Sequence, residues 1–238
     1  MIRTPVCNTG VLILFCFLQI AANGQGIVQN DFEHSVKIFD QNGKSFVNPY
    51  VDIAGNPFFL EELRLGEIRL KDQSVYRDVP VRLDLVSQEV HFIQNGRTEM
   101  FLPAGLVSML VLRDSTGVAP VTYIFQSGFP PIDNQSALNF YQVLSDGKIR
   151  LLKSLRKVIH QEKNEYTGET QREFREYEEY YFFTDNRMEK IKRDKSFILD
   201  MMKDKSQQIE DYLQKNKISF RSMEDLRKLV DYYNSLHP

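Results

Sequence analysis

The chain has 238 residues, 42% of them apolar, with 30 Lys and Arg against 32 Asp and Glu and a formal charge of −2. That balance leaves no electrostatic footprint for nucleic acid, which calls for a clustered cationic excess. Cysteine occurs twice, as Cys7 and Cys16, and tryptophan is absent.

Residues 1–24 follow the order of a secretory signal peptide: Arg3, then an apolar core over residues 11–18, then Ala22-Asn23-Gly24 as a small-x-small cleavage site. Gln25 is the expected first mature residue. The apolar run is shorter than the ~20 residues that span a bilayer, which argues against the plainer reading of an uncleaved anchor, and no second segment is long and apolar enough to cross, so no transmembrane segment is expected after cleavage. Cys16 raises a lipoprotein alternative, but Phe15 precedes it and the apolar run continues through Phe17 and Leu18. Both cysteines then fall in the discarded segment. The mature chain is expected to lack disulfides, thiol nucleophiles and Cys-ligated zinc. An exported location is expected: periplasmic, outer-membrane-associated or secreted.

Residues 25–193 read as one antiparallel β domain. Asn42-Gly43, Asn95-Gly96 and Asp146-Gly147 are two-residue hairpin signals, because Asn, Asp and Gly tolerate positive φ. The flanking runs 36–39 and 45–47, 90–93 and 98–102, 140–144 and 148–152 have strand character. Residues 66–70 alternate polar and apolar, as do 79–85, where Pro80 predicts an edge or strand-start position. Residues 107–112 and 121–125 are more apolar and read as central strands. Residues 161–193 are charged but aromatic-rich, and Asp185-Asn186 after Tyr180-Tyr181-Phe182-Phe183 predicts a protruding hairpin. The expected fold class is mainly β (α+β): an antiparallel meander forming a barrel, clam or sandwich.

Residues 194–238 change period. Ile198, Met202, Ile209 and Leu213 follow helical spacing, with a break expected near Lys203-Asp204-Lys205. Ser222-Met223-Glu224-Asp225 fits a capping box, and Leu226, Leu229, Val230 and Tyr233 then form one apolar stripe. Helices this short need a surface to pack on, and the β domain is the expected one.

Chemistry is sparse. His34, His91, His160 and His237 show no metal-ligand spacing. No G-x-S-x-G elbow, S-x-x-K motif or phosphate-cradling Gly loop is present. No catalytic residue, metal or cofactor is assigned. Asp52, Asp78 and Asp84 near strand ends could pair for acid–base work, against the plainer reading of turn residues. Residues 49–59 are the most distinctive stretch. Gly55-Asn56-Pro57 reads as a turn, with Tyr50, Asp52, Asn56, Phe58 and Phe59 gathered around it as a ligand or partner patch. The plainer reading is a core corner.

Ala54-Gly55-Asn56-Pro57-Phe58-Phe59, Gly66-Glu67-Ile68 and Tyr76-Arg77-Asp78-Val79-Pro80-Val81-Arg82 resemble a group of exported Bacteroidota proteins of unknown function. Their pattern is roughly G-S-P-Y, then G-x-(V/I), then Y-x-(N/D)-V-P-(L/V)-(R/K). Residues 225–236 resemble the helix that closes such proteins. Asn56 and Phe58 stand where the pattern has a small polar residue and Tyr. The resemblance implies an envelope location and carries over no activity. Three functions remain open: a non-catalytic scaffold binding an envelope protein or cell-surface component, a carrier of a lipid or apolar ligand, and a hydrolase with a dispersed Asp/His site. A continuous apolar cavity, or a cleft joining carboxylates to His91, would favour the second or the third.

Overall fold

The computed structural model describes residues 50–94, 98–166 and 168–237. The proposed signal segment and the Asn42-Gly43 hairpin lie outside the described residues, as do Asn95 and Gly96 themselves. Ten strands follow: β1 (Arg64–Leu70), β2 (Val75–Leu83), β3 (Val90–Gln94), β4 (Thr98–Leu102), β5 (Val107–Asp114), β6 (Val121–Gln126), β7 (Tyr141–Ser145), β8 (Arg150–Lys163), β9 (Thr170–Thr184) and β10 (Arg187–Lys190). They form one antiparallel sheet in the order β10-β9-β8-β7-β6-β5-β1-β2-β3-β4. The mainly β, antiparallel class stands, and the sheet is not closed into a barrel.

The order departs from a plain meander once. β4 lies at one end of the sheet, yet β5 pairs with β1. Only residues 103–106 make that connection. Four flat strand spacings would cover ~19 Å, while five extended chain steps reach at most ~18 Å. The sheet must therefore curl until β4 comes back toward β5. The main core fills the inside of the curl, with Ile68, Val81, Leu83, Phe92, Leu110 and Phe125 all at 0–1% exposure.

Two local features fix the register. Asp78 adopts φ +55 as the extra residue of a bulge opposite the Gly66/Glu67 step. A side chain on Gly66 would run into the Val111 carbonyl and Val81. β2 proves to be an interior strand, so the edge expectation from Pro80 is corrected. The bulge precedes Pro80, and β3 pairs only with Val81–Leu83, so no β3 partner needs the N–H that Pro80 lacks.

β8 and β9 pair along the whole of β8, so the hairpin expected over 161–193 begins much earlier. Asp185 and Asn186, at φ +49 and +58, make the tight turn into β10. The Asp146-Gly147 connection is longer than the expected two residues. It runs over 146–149, because the backbone of Ile149 bonds to Asn234 rather than to the ladder.

The helices are α1 (Lys195–Asp200), a 3₁₀ turn (Lys203–Lys205) at the expected break, α2 (Ser206–Asn216) and α3 (Met223–Ser235). Asp194 caps α1 by accepting from the Ser196 and Phe197 amides. Ser222 caps α3 by accepting from the Asp225 amide. The stripe of Leu226, Leu229, Val230 and Tyr233 is buried against Ile149, Leu151 and Phe182 of the β7–β9 region. A third cluster, Phe129, Tyr141, Leu152 and Tyr181, involves the alternate residues of β8 and β9.

Candidate functional site

Residues 50–63 form a strap joining two distant parts of the sheet. At one end the Ala54 amide donates to the Arg172 carbonyl at 2.8 Å, and the Phe174 amide donates to the Ala54 carbonyl at 3.2 Å. At the other end the Phe59 amide donates to the Leu83 carbonyl, and the Leu85 amide to the Pro57 carbonyl, both at 2.9 Å. The strap thus ties the β8–β9 hairpin to the end of β2. The turn between these attachments needs positive φ at Gly55, and an Asx bond from the Phe58 amide to Asn56 Oδ1 at 3.0 Å closes it.

Asp84 organises the β2 end. Its side chain is 1% exposed. Oδ1 accepts from the Val86 and Ser87 amides at 2.7 and 3.0 Å, and Oδ2 accepts from the Tyr50 hydroxyl at 2.8 Å. Burial and the Asp84 carboxylate push the Tyr50 phenol well up, keeping it a neutral donor. The Tyr50 ring packs edge-on against Phe174 of β9, so one side chain spans both ends of the strap.

His91 of β3 stands beside Asp84. Its Nδ1 lies 3.1 Å from Glu99 Oε1, while Nε2 is 4.0 Å from Asp84 Oδ2, too far for a hydrogen bond. Arg82 donates to the same Glu99 oxygen at 2.6 Å through Nη2 and to the Glu61 carbonyl through Nη1. The hydrogen bond from His91, with those from Arg82, holds the Glu99 carboxyl below its ordinary range. The Phe58 ring lies under the Arg82 guanidinium at 3.6 Å and edge-on to His91. Lys157 of β8 completes the cluster, with Nζ donating to the Asn56 and Phe58 carbonyls at 3.0 and 2.7 Å. Burial pushes its ammonium below the usual lysine range.

Of the five patch residues, the structure brings Tyr50 and Phe58 to one junction. Phe59 turns instead into the main core against Tyr123 and Phe125. Asn56 closes the turn. Asp52 sits in an exposed turn at φ +61. The three aspartates singled out by sequence have separate environments: Asp78 pairs with Arg113 at 3.1 Å on the surface, whereas Asp84 is buried. Arg82, Glu99 and Lys157 escaped the sequence reading. The hairpin flanks at Asn95-Gly96 carried the one usable signal, since they bring the β4 segment alongside His91.

A second polar network lies under the loop before β7. Ser154 donates to Gln135 Oε1, and the Gln135 amide donates to the Tyr181 hydroxyl, at 2.8 and 3.1 Å. Tyr181 donates to Asp133, and Lys190 reaches both Asp133 and Glu179. Lys190 holds both carboxyls below their ordinary range. A shallow cleft of about 250 Å³ opens nearby, lined by Glu179, Tyr180, Lys190, Arg193 and Met223 among others.

Among the described residues no three His, Asp or Glu side chains are placed to hold a metal ion. No described helix is long and apolar enough to cross a membrane. Compared with family models, curated proteins and solved structures, the chain matches none.

Proposed function

We propose that this protein is exported to the cell envelope and works there as a non-catalytic binding or scaffold module. The supporting observation is how the strap junction spends its polar groups. Tyr50, Asp84, Glu99, Arg82 and Lys157 bond to one another and to backbone, and Asp84 is sealed from solvent. A general acid or base needs a reacting group within hydrogen-bond reach. Convergence of Asp84 and Glu99 on His91 therefore reads as construction of the junction rather than as a hydrolase site. The carrier reading loses support because large side chains occupy the space inside the curl.

A partner would find its best purchase on the outer face of β1, β5 and β6. Leu65 is 55% exposed and Ile124 36% exposed. Val111 pairs with Ile124 across the ladder, and Arg69, Arg77 and Arg113 fringe these residues from β1, β2 and β5. Apolar area interleaved with arginine is a composition favoured at protein–protein contacts. A photo-crosslinking residue at Ile124, expressed in the native host and followed by envelope fractionation, tests the reading. The expected result is one discrete adduct with an envelope protein, in the envelope fraction, absent when the probe replaces Lys215 on α2. Recovery in the cytoplasm, no adduct, or the same adducts from both positions would overturn it.

A further inference from the structure

We draw no further inference here: the strongest candidate, the side-chain cluster in which His91 stands between the Asp84 and Glu99 carboxylates beneath the strap, carries none because it belongs to the site already described.

Discussion

Asn234, the penultimate residue of α3, offers the sharpest test of how the helices hold the sheet. Its Oδ1 accepts from the Ile149 amide at 3.0 Å, and its Nδ2 donates to the Ile149 carbonyl at 2.8 Å. Nδ2 also lies 3.2 Å from Ser145 Oγ and from the Asp146 carbonyl. The side-chain amide thus replaces a missing ladder partner for a residue that is 1% exposed. Asn234→Ala leaves both Ile149 groups without those bonds, at ~1–3 kcal/mol each. Relaxation offsets part of this, so a loss of about 2–4 kcal/mol is expected, a large share of the ~5–15 kcal/mol that stabilises a typical domain. Gly147 supplies a coupled test. A Cβ there would sit 2.6 Å from Asn234 Cγ, on a backbone at φ +149. Gly147→Ala alone should cost ~1–3 kcal/mol through overpacking. Asn234→Ala removes the clashes with Cγ and Nδ2, while the contact with the Cβ at 2.9 Å and the strained φ remain, so the double variant should be more stable than the sum of the single losses predicts, by ~0.5 kcal/mol or more. Urea unfolding of the four proteins, with slopes compared, gives the cycle. Strictly additive losses, or an Asn234→Ala loss under ~0.5 kcal/mol, would refute this account of the junction.

Three further outcomes are expected. Leu229→Ala removes a side chain at 0% exposure and should cost about 2–5 kcal/mol, whereas Lys228→Ala, losing only surface pairs with Glu224 and Asp225, should stay within ~1 kcal/mol in the same urea assay. Lys157→Met keeps the aliphatic stem but removes the donor to two strap carbonyls; hydrogen exchange should quicken at the Ala54 and Phe59 amides and not in α3, and unchanged exchange at both amides would count against the clasp. Glu99 is held low by His91 and Arg82, so its stabilising contribution is present above the unfolded glutamate value near ~4.3 and is lost as pH falls through the lower folded value. Glu99→Gln should therefore flatten the acid limb of the stability–pH curve below about pH 4.3, and an unchanged limb would sink the idea.

The elements legible in the sequence are those whose signal is local. The α3 stripe is a pure periodicity, and the Ser222 cap needs only its own first turn. Asp185-Asn186 is a two-residue turn whose chemistry is contained in those two residues. Asp146-Gly147 misled because its outcome depends on Asn234, 88 residues away, which draws Ile149 out of the ladder. Pro80 misled because the bulge that accommodates it requires Gly66 on another strand. The patch fared similarly. Asn56 closing its turn is local and readable, but the fates of Phe58 and Phe59 are set by Arg82, His91 and Phe125, which only the curl of the sheet brings near.

The same long-range contacts explain how the β8–β9 hairpin is held without cysteine in the described residues. A lone two-stranded ribbon is marginal in water, and much of this one is charged. It is fastened at both ends by polar side chains that reach across the sequence. Asn234 fixes the base through the 145–149 connection. Lys157 and the Tyr50–Asp84 bond fix the middle and upper part through the strap. Their partners lie 85, 99 and 34 residues apart. Closing loops of such length is entropically expensive, but the cost grows only logarithmically with length. Once the apolar core has brought the segments together, each added bond meets little further entropy. Its full contribution then goes to choosing one register over its neighbours. A one-residue slip of β8 would reverse every side chain in it and carry Lys157 away from the strap carbonyls. The polar clasps thus reinforce the register that the buried pattern sets, while the buried clusters supply most of the stabilising free energy.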